Sequence, residues 1–487
     1  VDIYIELCRK SDIPLYIQIY EGYRKAILSG VFRPHTKLMS VMQLKRSLCV
    51  SRNTIEMAYL QLLSEGYIFS KKGSGYFVSE LDNVAQLDYS KDLNDIRSMR
   101  INEFESLHLI RSDIKYDFKP GSVERDAFPF KKWNEIAQNV MNRENREILM
   151  YSDPRGELAF RREISVYLKR SRGVQCHPDQ ILLGAGTQTL ISLLCLILRD
   201  EKPLNVAVED PGFTAVRKAF EWNACEIIPI PLKDNVFDIS ALKSIEQKLS
   251  IIYLTPSNQH PMGGLLNVSE RLTLLNWAKN RETYIIEDDY DSEYRYNIHP
   301  VPTMFSLDQF DQVIYMGTFS KTLFPAMHVG YMVLPCKLAN AFAEIGCYYN
   351  QTVSKLHQLT IAEFMKCGLF EKHIRKLRTL YGKKHQKIVN AIREVFGEHA
   401  YIIGDRAGVN LALRIILPFS ENDLIMRAKH AGIAVYPISF YCSNPNPHEK
   451  RANNDIFLGY GHMALDEIDD AIILLGEAYS CYNGIYG

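Results

Sequence analysis

The chain has no Cys-x-x-Cys pair, no internal repeat and no low-complexity tract. Its 57 Lys and Arg balance 57 Asp and Glu, so no global field draws it to nucleic acid or a membrane, and such partners must be read locally. No apolar run approaches the roughly 18 residues that a spanning helix needs, and the N-terminal segment lacks the basic, apolar, small-residue order of a signal peptide. Ten cysteines, scattered from Cys8 to Cys481 without paired spacing, read as reduced thiols of a cytoplasmic protein, mostly buried fillers. What is present is ordinary for a soluble globular protein. Over 487 residues, 47% are hydrophobic and 23% charged, which predicts two to three domains at about 150 residues each.

Residues 1–80 differ from the rest, with eleven Lys and Arg against seven Asp and Glu. Leu15, Ile19, Tyr23, Ala26 and Ile27 recur at helical spacing up to a stop at Ser29-Gly30. Ser40 and Gln43 make a capping box for a short second helix ending near Cys49. Ser51 can cap a third helix with Ile55, Ala58, Tyr59, Leu62 and Leu63 on one face, stopped by Gly66. A strand over 67–69, a basic tip Lys71-Lys72-Gly73-Ser74-Gly75 and a strand over 76–78 follow. This is the plan of a winged helix-turn-helix, whose third helix enters the major groove while the wing meets phosphates. Ser51, Arg52, Asn53 and Thr54 lead that helix, and Lys71, Lys72 and Gly73 form the wing, so all seven are candidate contacts to double-stranded promoter DNA.

The strings Pro14-Leu15-Tyr16-Ile17-Gln18-Ile19, Ser51-Arg52-Asn53-Thr54, Gln61-Leu62-Leu63-Ser64-Glu65-Gly66-Tyr67 and Lys72-Gly73-Ser74-Gly75-Tyr76-Phe77-Val78 resemble the GntR-type winged helix. One segment departs from it. Where the family reads Leu-Pro-Ser-Ser-Arg, this chain has Leu38-Met39-Ser40-Val41-Met42, so Met42 replaces the usual DNA-contacting Arg and the operator contacts are expected to differ.

Residues 81–112 lack a clear apolar period and read as a linker. From 113 to 487, short apolar strands alternate with helical runs: 180–184, 205–209, 251–254, 284–287, 312–316 and 331–334. That pattern predicts an α/β body around a largely parallel sheet. Three strand ends carry chemistry. Gly184-Ala185-Gly186-Thr187-Gln188 opens a helix expected from Thr189 to about Leu198, and a glycine turn at a helix start offers N–H groups to a phosphate. Glu287-Asp288-Asp289-Tyr290-Asp291-Ser292-Glu293 ends a strand in acid; with no His at ligand spacing, no metal is assigned. Thr318-Phe319-Ser320-Lys321-Thr322 places a lysine between hydroxyls, which suits an amine held for Schiff-base chemistry beside a phosphate.

Glycine turn, acidic strand end and lysine, in that order, make a pyridoxal 5'-phosphate site and resemble the fold-type I aminotransferases over 116–487. The resemblance implies a mainly parallel large domain and a small C-terminal α/β subdomain. It makes Lys321 the Schiff-base lysine, Asp288 the partner of the pyridine nitrogen and Tyr290 the partner of the ring hydroxyl. Phe213 takes the ring-stacking place, and Gly186, Thr187, Gln188, Thr318 and Ser320 belong to the phosphate cup. Tyr151 matches a tyrosine that reaches the partner subunit's phosphate, implying a homodimer, head-to-tail. A winged helix joined to such a body resembles the MocR/GabR regulators across essentially the whole chain.

Two departures bear on function. Relatives follow the lysine with Pro-Gly-Leu-Arg, whose Arg clamps the phosphate; here Pro325-Ala326-Met327-His328 puts an imidazole there, and phosphate binding is expected to be weaker. His260 likewise stands where relatives carry an aromatic residue or Asn near the cofactor. Aminotransferases hold the substrate carboxylate with an Arg where this chain has Phe457, leaving Arg217, Arg406 and Arg414 as substitutes in unrecognised places. The favoured expectation is a dimeric regulator sensing pyridoxal phosphate or a small amine through Lys321. The alternative is an aminotransferase with a vestigial head.

Overall fold

Side-chain caps decide where the N-terminal helices begin. The first unit runs α1 (Leu15–Leu28), α2 (Val41–Leu48), α3 (Arg52–Ser64), β1 (Ile68–Lys71) and β2 (Gly75–Val78). Ser40 closes the capping box with Gln43, and Ser51 accepts from Thr54 N at 3.1 Å, each satisfying a first-turn N–H that has no helical partner. Cys49 ends α2 in the left-handed region, φ 51°, which turns the chain sharply into α3. Ile19, Tyr23, Leu44, Ile55, Tyr59 and Leu62 meet Ile68 and Val78 of the hairpin in one core. This is the expected winged helix-turn-helix. The wing is shorter than expected: Lys71 pairs with Gly75 inside the ladder, so the tip is Lys72-Gly73-Ser74. Gly73 at φ 76° and a bond from Ser74 N to Lys71 O complete the reversal in three residues.

The computed structural model describes residues 7–9, 11, 13–81, 114–143, 146–199, 203–296, 301–443 and 454–480. The chain divides into two compact units, Val1–Arg111 and Ser112–Gly487. Apart from Leu81, the expected linker lies outside the described residues.

The second unit contains β3 (Tyr116–Asp117), β4 (Ile181–Ala185), β5 (Asn205–Asp210), β6 (Glu226–Lys233), β7 (Val236–Phe237) and β8 (Ile251–Leu254). They are followed by β9 (Tyr284–Asp288), β10 (Val313–Thr318), β11 (Val329–Val333), β12 (Ala400–Ile403), β13 (Asn410–Ile415), β14 (Ile433–Ala434), β15 (Tyr436–Pro437) and β16 (Asp455–Gly459). One sheet has the order β4-β11-β10-β9-β8-β5-β6-β7, with only β11 and β7 running against the others. Alternate residues of its strands face opposite layers. Leu182, Ile286, Ile314 and Met332 pack beneath the helix Gly186–Ile197; Ile181, Leu183, Tyr315 and Val329 pack beneath the helix Leu158–Arg172. The antiparallel order β12-β13-β16-β15, with helices Leu369–Phe396, Glu421–His430 and Glu467–Ala478, forms the smaller C-terminal layer.

Two expectations change. The helix after β4 begins at Gly186 rather than Thr189, because Gly186 at φ 79° turns directly from strand to helix. Of the nine described cysteines, all free, only Cys195 and Cys225 are buried; several others sit at helix ends such as Cys49, Cys336 and Cys367, where the chain meets solvent.

Candidate functional site

Six strands of the large sheet run the same way, and the loops leaving their C-terminal ends carry the chemistry. Gly186 follows β4, Phe213 follows β5, Asn258 and His260 follow β8, Tyr290 and Asp291 follow β9, and Ser320 and Lys321 follow β10. An open α/β sheet leaves its ligand crevice at this edge.

His260 ties several of these loops together. Its ring meets Phe213 at 5.3 Å, Tyr290 at 5.7 Å, Tyr441 at 4.8 Å and Phe457 at 5.4 Å, all edge-on. His260 Nε2 is buried and has no hydrogen-bond partner among the described residues. Burial, and then the charge of Lys321, push its pKa down to about 3, so the imidazole is neutral. Burial also holds the Lys321 ammonium below its usual range, with Asp291 pulling partly back. The Lys321 loop is pinned from below by Tyr294 Oη, which donates to Lys321 O at 2.9 Å. Gly121 comes in from the start of the unit: a Cβ there would stand 3.0 Å from Lys321 Nζ.

The carboxylates are enclosed and individually partnered. Asp288, pushed up to about 7 by burial, accepts from Tyr253 Oη at 2.5 Å. Asp291, also raised to about 7 by burial, accepts from Asn258 Nδ2 at 3.1 Å, and the same nitrogen lies 3.3 Å from Tyr290 Oη. Glu209 accepts from Thr255 N and Oγ1, and burial raises it to about 8. Asp289 faces away, to Arg172 at 2.5 Å and Tyr315 at 2.6 Å. Among the described residues no group of three or more His, Cys, Asp or Glu is arranged to hold a metal.

The glycine turn and His328 meet. A Cβ on Gly186 would stand 2.6 Å from His328 Nδ1, so the imidazole lies against the start of the helix. His328 itself takes φ 51°. Thr187 is half-buried and Gln188 exposed in the first turn of that helix. Thr318 Oγ1 accepts from Ser320 N at 3.1 Å, which curls the chain toward Lys321. Tyr151 is 92% exposed in the single chain, apart from this grouping.

Two of the three arginines considered for a carboxylate are engaged elsewhere. Arg217 donates to Tyr441 O, Cys442 O and Ser443 Oγ. Together with Gly212 N on Tyr441 O, Thr214 Oγ1 on Phe440 O and Ser443 N on Asp210 Oδ1, it sews loop 440–443 to the loop after β5. Arg414 forms a two-point pair with Asp455, and Arg406 is exposed. Phe457 is 2% exposed and packs on His260 and Tyr441.

On the N-terminal unit, Ser51 is committed to capping α3, and Thr54 Oγ1 lies 2.7 Å from its hydroxyl. Arg52 Nε reaches Glu56 at 2.8 Å along one helix face, and Asn53 is exposed. Lys71 Nζ lies over the rings of Phe69 and Phe77, at 5.6 and 5.2 Å. Met42 is 48% exposed on α2.

Sequence reasoning missed Tyr253, Thr255, Asn258, Asp291 and Gly121. Asp291 sits inside the acidic string already singled out, and Asn258 lies two residues before His260. Tyr253 has the look of any strand aromatic, and Gly121 is distant in sequence, so neither carried a local signal.

Comparison with known proteins assigns both units. The description "Bacterial regulatory proteins, gntR family" matches residues 15–78, and "Aminotransferase class I and II" matches residues 122–440. The uncharacterized HTH-type transcriptional regulator YdeL of Bacillus subtilis is 37% identical, over 98% of this chain and 100% of its own. The probable rhizopine catabolism regulatory protein MocR of Rhizobium meliloti is 32% identical over 90% of each chain. The chain belongs to the MocR/GabR-type transcriptional regulators. Like other MocR-type chains it is a DNA-binding regulator with an aminotransferase fold. The pyridoxine biosynthesis regulator PdxR of Corynebacterium glutamicum is 27% identical over 97% of this chain and 99% of its own. Among solved structures, Pyrococcus horikoshii kynurenine aminotransferase, in complex with PMP and kynurenine, superposes with a TM-score of 0.68 at 24% identity, covering 80% of this chain and 97% of that one. Such a distant match shows the fold alone. No helix among the described residues is long and apolar enough to cross a membrane.

Proposed function

We propose that the MocR-type body binds pyridoxal 5'-phosphate through Lys321 and that a homodimer of the chain adjusts its grip on promoter DNA in response to that cofactor or to a small amine. The observation that carries the reading is Lys321. A half-buried lysine with a lowered proton affinity stands at the C-terminal edge of the sheet near a neutral imidazole whose Nε2 has no hydrogen-bond partner among the described residues, and an aromatic wall. The donor set fits a phosphorylated pyridine aldehyde: an amine for the carbonyl, a carboxylate on Asp288 for the ring nitrogen, and Tyr290 with Asn258 for a ring hydroxyl. Helix-start N–H groups at Gly186, Thr187 and Gln188, with Thr318, Ser320 and His328, suit the phosphate. When bound, the group supplies an electrophilic carbon that an amine can attack and a ring that withdraws electrons.

The chain's own residues prepare that site. Burial lowers the proton affinity of Lys321, which favours the nucleophilic free amine. Phe213 and His260 cover the cleft with flat apolar area, and Tyr151 is suited to complete a partner's phosphate cup in a head-to-tail dimer. Arg52, Asn53 and Thr54, with the Lys72-Gly73 tip, are the residues we assign to DNA.

The test is binding of the purified protein to DNA from upstream of its own gene, with and without pyridoxal phosphate, alongside the visible spectrum. A cofactor-dependent affinity or footprint, lost in Lys321→Ala together with the bound chromophore, is the expected result. Specific DNA binding and an effector response unchanged in Lys321→Ala would overturn the reading. Turnover of an amino acid with a keto acid, in the absence of specific DNA binding, would return the chain to catalysis.

A further inference from the structure

Asp288 is held by one oxygen only. Tyr253 Oη donates to Asp288 Oδ2 at 2.5 Å, with both side chains buried, while among the described residues nothing donates to Oδ1. Tyr253 is the third residue of β8, a central strand. It is opposite Val208 of β5 on one side and Ile286 of β9 on the other, and its ring packs edge-on against Phe220 at 6.4 Å. Strand pairing on both sides fixes the phenol where it is.

We propose that Tyr253 is a positioning residue: its phenol keeps Asp288 in the anionic form and leaves Oδ1 for the ring nitrogen of the bound pyridine, and so decides whether that nitrogen carries a proton. The inference rests on the cofactor reading above and deepens it.

The physical case has two parts. Enclosure favours the neutral acid, and burial with a contribution from Asp289 raises Asp288; the Tyr253 hydrogen bond is the influence that lowers it. A neutral Asp288 leaves the pyridine nitrogen without a counter-ion, and the ring then withdraws electrons poorly. Secondly, the phenol is an obligate donor. Burial and the neighbouring carboxylate push its own ionisation well above the usual range, so it keeps its proton and can only donate to Asp288. A hydrogen bond to a charged acceptor is about twice as strong as one to a neutral acceptor, so Tyr253 favours the carboxylate over the acid.

The experiment uses full-length protein reconstituted with pyridoxal phosphate carrying 15N in the ring, whose nitrogen chemical shift separates the protonated from the neutral ring. Wild type is expected to hold the ring proton at neutral pH. Tyr253→Phe, which removes one hydroxyl and little volume, is expected to move the shift most of the way to that of Asp288→Asn, a drop of about tenfold in the protonated-to-neutral ratio. If Tyr253→Phe keeps the wild-type shift while Asp288→Asn loses it, the role of Tyr253 is refuted and the cofactor reading stands. If Asp288→Asn also keeps it, the assignment of Asp288 to the ring fails, and the role of Tyr253 with it. Should Tyr253→Phe fail to fold, a chain with 3-fluorotyrosine at position 253 alone, a stronger donor, is expected to shift the proton further from Asp288 to the ring and raise the protonated-to-neutral ratio of the ring; an unmoved nitrogen shift overturns the proposal.

Discussion

His328 Nδ1 lies within 2.6 Å of the point that a Cβ on Gly186 would occupy, so these two residues share one small space at the start of a helix. Gly186 also takes φ 79°, where an L side chain is strained. Gly186→Ala is therefore expected to lower unfolding stability by about 1–2 kcal/mol from backbone strain alone. It should also weaken pyridoxal phosphate binding by displacing the imidazole, read by absorbance titration. Unchanged stability and affinity would contradict the geometry.

Replacing that imidazole tests the proposed phosphate cup directly. His328→Arg puts a charged fork where one ring nitrogen stood, with the same non-glycine side chain in the left-handed region. Pyridoxal phosphate is expected to bind about tenfold more tightly, the order expected of a charge-assisted hydrogen bond. Equilibrium dialysis showing no gain would place the phosphate elsewhere.

The proposed DNA contacts divide into two kinds. Arg52→Ala is expected to cost about 1–3 kcal/mol on the cognate site and to relax base preference at one position. Lys72→Ala should weaken all sequences alike and reduce the slope of log affinity against log salt by about 1. Fluorescence anisotropy over a salt series separates these outcomes. Equal losses from both variants on cognate and scrambled DNA would mean that α3 reads no base.

Stability of the ligand-free protein should fall as pH rises from 6.5 to 8. Burial raises Glu209 to about 8 and Asp288, Asp291 and Glu293 to about 7, so the folded chain holds protons there that the unfolded chain has lost. Stability carried by such raised groups is complete below their unfolded values and declines as pH climbs through the folded ones. Lys321, whose proton affinity is lowered, acts in the opposite sense but as one group against four. His260, lowered to about 3, opposes only below its unfolded value near 6.5. A loss on the order of 1–3 kcal/mol is expected across the window. Thermal unfolding that is flat or improves with rising pH would show that these carboxylates are not enclosed.

Much of this was legible from local signals. Ser40 with Gln43 and Ser51 with Thr54 announce two helix starts, and the strand ends at Gly186, Asp288 and Lys321 mark the edge where the sheet opens. The phenol of Tyr253 was invisible because its role comes from an adjacent strand 35 residues from Asp288, a relationship that period and composition do not encode. The engagement of Arg217 was hidden for the same reason: the carbonyls that accept its hydrogen bonds lie on a loop more than 200 residues away in sequence. The wing was read too long because the sequence shows two lysines and two glycines but not which lysine pairs across the ladder.

The stitching between the loop after β5 and loop 440–443 has a mechanical consequence. Phe213 stands on one of these segments and Tyr441 on the other, and Arg217, Gly212 and Thr214 fasten the two together. They act as a closed latch. A molecule that displaced the Phe213 ring would have to break these hydrogen bonds or draw the Tyr441 loop along with it.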